Sequence, residues 1–324
     1  MTEVIQATLQ TRYGPAKKPT IYFIGMTTGK SSIMKVFPRW AQYLGLGDIA
    51  ITGIDCKWHD DPGVYRRVVE FIKSDPLSKG ALVTTHKIDL LKACRDLFEY
   101  LDPFALLCGE ISCISKRGNQ LRGHAKDPIS SGLALEAFLP KDHWRTTGAE
   151  AFSMGAGGSS IAITSHLMDP KHGANRPTRI IVSNRSAPRL EEIREIHHKL
   201  GRPVPVEYYH TPRPEDNDAL MSRLKPHSLV MNATGLGKDA PGSPITDAGR
   251  FPENGFAWDF NYRGDLLFLD QARAQAGRRN LIVEDGWVYF IHGWIRVVAE
   301  VFDVDIPVSG PKFDEISRIA KEAR

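Results

Sequence analysis

The segment Ser153-Met154-Gly155-Ala156-Gly157-Gly158-Ser159-Ser160-Ile161-Ala162 constrains this chain more than any other. A short apolar strand, Ala151 to Met154, runs into a glycine turn, and a helix starts near Gly158. Gly155 permits the tight exit from the strand. Gly157 lets a pyrophosphate approach the backbone. A helix start at Gly158-Ser159 offers unpaired N–H groups and the positive end of its dipole. The third glycine of the strict dinucleotide fingerprint is Ser160 here, and alone such a turn also reads as a surface loop. The next segment narrows the choice. Arg179-Ile180-Ile181-Val182 is mostly β-branched, as a buried parallel strand is. It leads into Ser183-Asn184-Arg185-Ser186-Ala187-Pro188-Arg189. A strand tip that binds NAD carries Asp or Glu for the ribose 2′-hydroxyl. An acid there would repel a 2′-phosphate, whereas guanidinium attracts it bidentately. Arg185 and Arg189 by themselves also fit a solvated helix start. Together the two segments predict an NADP site built from Gly155, Ala156, Gly157, Gly158, Ser159, Asn184, Arg185, Ser186 and Arg189. The turn and Asn184 lie farther apart than the usual ~20 residues. The excess falls in residues 169–177, which read as a surface loop.

A chain of 324 residues has room for two domains. Strand and helix signals alternate before the glycine turn as well as after it. Strands are expected at Thr20–Gly25, Ile49–Asp55 and Gly80–Thr84, with helices after the first two, the first presenting Val36, Trp40, Tyr43 and Leu44 on one face. A hairpin within Cys108–Arg122 turns at Arg117-Gly118-Asn119. Further strands are expected at Val206–Tyr209, Ser228–Asn232, Phe256–Phe260 and Leu281–Val283, and closing helices at Tyr289–Phe302 and Phe313–Arg324. This is an α/β pattern. Residues 1–127, completed by the C-terminal helices 288–324, form an N-terminal parallel-rich α/β substrate domain. Residues 128–287 form a Rossmann-type dinucleotide-binding domain. Residues 1–18 are polar and expected to be peripheral.

The formal net charge of +4 suits an anionic cofactor and substrate and is too small and dispersed for nucleic acid. No run approaches 18 apolar residues, and the polar start Met1–Gln6 is not a signal peptide. Cys56, Cys94, Cys108 and Cys113 have no metal or redox spacing. The expectation is a cytoplasmic protein with no membrane partner, no bound metal and buried thiols. A homodimer is one expectation for its assembly.

Outside the cofactor segments, the candidate acid–base groups are Lys87 and Asp127. Lys87 follows a buried strand, and ligands of open α/β sheets bind beyond the carboxyl ends of strands. Taken alone, Lys87 also reads as a solvated charge and Asp127 as a turn residue before proline. The order of segments weighs against those readings. Val83-Thr84-Thr85-His86-Lys87 is followed by Gly123-His124-Ala125-Lys126-Asp127. Then come Gly155-Ala156-Gly157-Gly158, Asn184-Arg185-Ser186-Ala187-Pro188-Arg189, Asn232-Ala233-Thr234-Gly235-Leu236-Gly237, Asp259-Phe260-Asn261-Tyr262 and Trp287-Val288-Tyr289-Phe290-Ile291-His292. From Ile21 to Phe302 this order resembles the shikimate dehydrogenase family, whose members act in aromatic amino acid biosynthesis. The resemblance implies that Lys87 carries the proton of the reacting hydroxyl and that Asp127 orients that hydroxyl. It implies that Asn232, Ala233 and Thr234 lie against NADP. It places the substrate-binding positions at Ser31, Ser32, Thr84, Ser112, Tyr262 and His292.

Departures from the family pattern gather at those substrate positions. The Ser-x-Ser carboxylate grip reads Lys30-Ser31-Ser32-Ile33. The hydroxyl-binding Asn falls on Ser112, the Asn before the catalytic Asp on Ala125, and the C-terminal Gln on His292. A buried polar pocket discriminates by leaving groups unpaired. The resemblance therefore implies an NADP-dependent oxidoreductase, with reversible hydride transfer at a hydroxyl or keto group of a small polar carbocycle. A true shikimate or quinate dehydrogenase is the alternative within that class. A non-catalytic NADP-binding regulatory module is the alternative outside it.

Overall fold

The computed structural model describes residues 14–201 and 203–324. The chain divides into two units, one of Met1–Lys126 with Gly293–Arg324 and one of Asp127–His292. Most of the stretch expected to be peripheral, residues 1–13, lies outside the described residues. Ala16 is held by its N–H on Asp75 Oδ2 at 3.0 Å.

In the first unit β1 (Thr20–Gly25), β2 (Ala50–Asp55), β3 (Ser78–Val83), β4 (Tyr100–Leu101), β5 (Cys113–Arg117) and β6 (Gln120–His124) make one sheet in the order β2-β1-β3-β5-β6-β4. β1 pairs in parallel with β2 and β3, and β5 runs antiparallel to β3 and β6. The expected hairpin is β5–β6. The residues just before it, Pro103–Cys108, form a short helix, started by Asp102, whose side chain accepts the Ala105 N–H. The helix Pro62–Ser74 begins the same way, with Asp61 accepting the Gly63 N–H and Pro62 in the first turn. It buries Val64, Tyr65, Val68, Val69 and Ile72 against Ile24, Val83 and Ile114. The helix Ile33–Tyr43 buries Ile33, Val36, Phe37 and Trp40, a 3.6-residue stripe. Tyr43, expected on that stripe, is the last residue of the helix and is exposed. The C-terminal helices complete this unit. Trp40 Nε1 donates to Ile316 O at 2.9 Å, and Phe23 meets Trp294 edge-on at 5.0 Å.

In the second unit β7 (Ala151–Met154), β8 (Ile180–Asn184), β9 (Val206–His210), β10 (Leu229–Asn232), β11 (Phe256–Asp259) and β12 (Ile282–Glu284) form an all-parallel sheet, order β12-β11-β10-β7-β8-β9. Counted from β9, the strands run third, second, first, fourth, fifth, sixth, the dinucleotide-binding order. Its topological switch point lies between β7 and β10. One face of the sheet buries Phe152, Met154, Ile181 and Val230 with Phe251 and Phe268. The helix Gly158–Met168 is buried continuously from Ser160 to Met168, with the Ser160 and Thr164 hydroxyls taken up by hydrogen bonds. Where the strict fingerprint has a third glycine, Ser160 Oγ lies 2.8 Å from Ser153 Oγ. The hydrogen bond lets the larger residue sit against the strand without leaving its hydroxyl unsatisfied.

That helix packs on the helix Asp127–Glu136 at Gly132, where a β-carbon would stand 2.2 Å from His166 Nδ1. Gly132→Ala should therefore lower stability by about 1–3 kcal/mol, the usual range for overpacking. Urea denaturation checks this, and an unchanged midpoint would show that the helices separate at no cost.

Candidate active site

The glycine turn is locked between the ends of two strands. The Gly155 N–H donates to Ser183 O at 2.7 Å, and Ala233 N–H donates to Met154 O at 2.8 Å. Gly155 has φ +113°, and a β-carbon there would lie 2.6 Å from Ala233 O. At Gly157 a β-carbon would meet nothing within 4 Å, so the turn faces open space at the start of the helix Gly158–Met168. Ala156 is buried and offers its backbone, while Ser159 is half-buried in the first helical turn.

At the β8 tip, Asn184 Nδ2 donates to Ser186 O at 3.3 Å, which shapes the entry to the helix Ala187–Lys199. Arg185 is exposed, and its carbonyl accepts from His210 Nε2 at 3.0 Å. Arg189 lies 2.6 Å from Glu192 Oε2. The two guanidinium groups thus differ. Arg189 must share itself between Glu192 and any phosphate.

The β10 and β11 ends carry a buried polar network. Asn232 is 0% exposed; its Nδ2 donates to Asp259 Oδ2 at 3.0 Å, and its Oδ1 accepts from Thr234 N–H and Oγ1. Its amide therefore shapes the loop after β10, and Ala233 and Thr234 hold that loop's outer course. Asn261 Nδ2 reaches Thr234 O at 3.1 Å, and Asn261 N–H donates to Asp259 Oδ1 at 2.8 Å. Burial pushes the Asp259 carboxyl up to about 7, against the opposing pull of these donors. Tyr262 packs on Phe290 and Trp287 at ring distances of 4.7 and 5.4 Å.

Asp127 is the first residue of the second unit and of the helix Asp127–Glu136, where an acid complements the helix dipole. It is 6% exposed, and its Oδ2 accepts from Tyr289 Oη at 3.0 Å. Tyr289 escaped the sequence reading. Its only signal is a lone hydroxyl in the apolar run of the helix Trp287–Phe302. His292, three residues on, is buried.

In the first unit the candidate residues follow the carboxyl ends of β1 and β3. Thr28 is pinned by its N–H and Oγ1 on Asp55 Oδ1, at 2.8 and 2.6 Å. Ser31, buried, and Ser32 then open the helix Ile33–Tyr43. The Thr84 N–H donates to Ile24 O, Thr85 takes φ +29°, and Lys87 is the first residue of the helix Lys87–Cys94. His86 is buried, its Nδ1 3.1 Å from Tyr65 Oη; burial holds its pKa low. Ser112 is 2% exposed, and its Oγ accepts the Lys126 N–H at 2.8 Å. The Lys126 ammonium meets Glu300 at 2.9 Å, and His124 and Arg117 meet the same carboxylate. Ala125 is fully buried and offers no polar side-chain atom. Among the described residues, no three His, Cys, Asp or Glu side chains gather as metal ligands, and no helix is long and apolar enough to cross a membrane.

Asp259 gives a pH dependence with a definite sign. Its folded pKa of about 7 exceeds the ordinary aspartate value of 3.8. The folded state thus holds a proton that the unfolded state gives up in the window between those values. This stabilisation is fully present below about pH 4 and lost as pH rises through 7, at up to about 1.4 kcal/mol per pH unit. Urea midpoints measured from pH 4 to 8 should fall along that window and flatten in Asp259→Asn. An equal slope in the variant would assign the dependence to another group.

No protein-family model matches this chain. A curated shikimate dehydrogenase (NADP+) of Streptococcus gordonii is 28% identical over 176 residues, 54% of this chain and 57% of that protein. One of Symbiobacterium thermophilum is 30% identical over 199 residues, 60% of this chain and 62% of that protein. The matched segments thus span less than two thirds of either relative. Among solved structures, shikimate dehydrogenase of Aquifex aeolicus superposes with a TM-score of 0.69 at 18% identity, covering 96% of this chain and 99% of its own. Quinate dehydrogenase of Corynebacterium glutamicum, solved in complex with NAD, gives 0.70 at 17% identity, covering 94% and 99%. Over the matched segments the chain is similar in sequence to shikimate dehydrogenases, and its fold matches solved structures of shikimate and quinate dehydrogenases over nearly its whole length.

Proposed function

We propose that this chain is an NADP-dependent oxidoreductase that moves hydride reversibly between the nicotinamide and a hydroxyl or keto group of a small polar carbocycle. The observation that carries the reading is the placement of the glycine turn at the switch point of a parallel sheet whose neighbouring strand tip bears Asn184 and Arg185 instead of an acid. The residues present fit a dinucleotide. The backbone at Gly155 tolerates no β-carbon, while Gly157 opens onto space above a helix start. Gly155–Ser159 would hold the pyrophosphate, Arg185 and Arg189 the 2′-phosphate, and the loop after Asn232 the nicotinamide side. When bound, the cofactor supplies the hydride chemistry.

The chain's own residues supply orientation and a proton path. Lys87 takes the proton from the substrate hydroxyl during oxidation and returns it during reduction. Asp127 accepts a hydrogen bond from that hydroxyl, and Tyr289 fixes the carboxylate for the purpose. Ser31, Ser32, Thr84, Tyr262 and His292 are the remaining substrate contacts. The names of the relatives favour shikimate or quinate itself as a second reading. Two observations weigh against shikimate: Ser112 is shorter than the family's Asn and its Oγ accepts the Lys126 N–H, and Ala125 has nothing to offer a ring hydroxyl. A hydroxyl left unpaired at each position costs about 1–3 kcal/mol, or two to four orders of magnitude in efficiency for the pair, at ~1.4 kcal/mol per tenfold.

The decisive experiment measures turnover of shikimate, quinate and other cyclic alcohols with NADP and NAD. Turnover of one cyclic alcohol with NADP, and weak or no shikimate turnover, is expected. A shikimate kcat/KM above ~10⁵ M⁻¹s⁻¹ would mean that the changes at 112 and 125 are neutral. No turnover of any alcohol would favour the regulatory-module reading. Lys87→Ala and Asp127→Asn should each lower kcat by roughly 10²–10⁴-fold with NADP affinity kept. Wild-type kcat in the lysine variant would place the proton path elsewhere.

NADP should be preferred clearly over NAD. A charge-assisted contact is worth about 1.5–3 kcal/mol, so Arg185→Ala should weaken NADP binding roughly 10–100-fold. Arg189→Ala should cost less, because its partner Glu192 already holds part of its charge. Isothermal titration of both variants decides this, and a preference for NAD would refute the assignment.

A further inference from the structure

Glu110 differs from the other buried acids of the first unit. It is 0% exposed, and neither carboxylate oxygen has a hydrogen-bond partner. By contrast Asp102 accepts the N–H groups of Ala105 and Ala125, and Asp75 those of Ala16 and Leu77, while half-buried Glu300 takes Lys126. A buried carboxylate is strongly unfavourable unless a cation lies within reach. For Glu110 the cation whose charge reaches it is Lys87. The Ile111 N–H donates to Lys87 O at 3.3 Å, which lays the Glu110-Ile111 peptide against the start of the Lys87–Cys94 helix. Burial pushes the Glu110 carboxyl up, and the Lys87 ammonium offsets that only in part. The other charged groups of these elements are turned elsewhere. Asp89 lies 2.7 Å from His59, His86 bonds Tyr65, Asp102 faces His124 at 3.7 Å, and Lys92 is exposed. The first turn of a helix is a poor place for an ammonium group, so a carboxylate behind Lys87 has a physical purpose.

We propose that Glu110 is a positioning residue for Lys87, a buried counter-charge that holds the lysine in place and stabilises its ammonium form as it takes up the substrate's hydroxyl proton. The proton passes from the hydroxyl oxygen to Lys87 Nζ. Glu110 forms and breaks no bond. The inference rests on the reading of Lys87 as the proton carrier.

The test reads Lys87 directly, without substrate or cofactor. Competitive trace acetylation of the full chain with acetic anhydride across pH 6–11, quantified on the Lys87 peptide by mass spectrometry, gives the midpoint at which the amine loses its proton. In Glu110→Gln that midpoint should fall by about one pH unit or more, the effect of losing a nearby opposite charge, while the midpoint of exposed Lys92 stays put. Glu110→Asp should restore the Lys87 midpoint at least in part. Glu110→Ala gives the same reading should the amide variant not fold. An unchanged Lys87 midpoint in the charge-removed variants overturns the proposal even if the enzyme turns over alcohols. A shifted midpoint with no alcohol turnover sinks the functional reading and leaves the Glu110–Lys87 coupling standing.

Discussion

Ala233 O stands 2.6 Å from the place where a β-carbon of Gly155 would be, and that close approach governs the second unit. β7 hands its chain to a helix at the one place in the sheet where strand order reverses, with β8 on one side and β10 on the other. Gly155 bonds Ser183 at the end of β8, and Ala233 bonds Met154 at the end of β7. The three strand ends are thereby cross-tied through backbone groups alone. A turn held this way presents its N–H groups in a fixed geometry before any anion arrives, so little ordering remains to be done on binding.

Behind the turn, polar side chains do what apolar packing cannot. Asn232, Asp259 and Asn261 are buried, Thr234 is half-buried, and each member of the set satisfies another. Such a network fixes one loop conformation, because any other leaves a buried donor or acceptor unmatched. The cost is a carboxyl at Asp259 that burial drives toward neutrality. Asp127 and Tyr289 are a smaller instance of the same device. Both are distant in sequence, and their bond gives a helix-starting carboxylate a single orientation.

In the first unit, groups that looked available for a ligand are occupied by the fold. Ser112 holds the Lys126 amide, and the Lys126 ammonium is drawn to Glu300 together with His124 and Arg117.

The alternation of strands and helices, the glycine turn and the cationic tip of β8 were legible from local sequence, because each rests on backbone geometry or charge within a few neighbouring residues. Ser160 in place of glycine was legible as a departure. Its resolution was not, since the Ser153 hydroxyl that satisfies it reaches it across the strand–helix packing. The same limit hid Tyr289 as the partner of Asp127, Glu110 as an unpaired carboxyl near Lys87, and the inward turn of Asn232. Side-chain identity says what a group can donate or accept. Whether it has donors to spare depends on what packing brings beside it, and those neighbours come from other strands and helices, seven residues away for Ser153 and 162 for Tyr289. The sequence by itself determined the fold class, the cofactor-type turn and the chemistry of the candidate residues. Tertiary structure alone decided which of them are left to meet a ligand, because burial removes water as the alternative partner and makes each polar group answer to its packed neighbours.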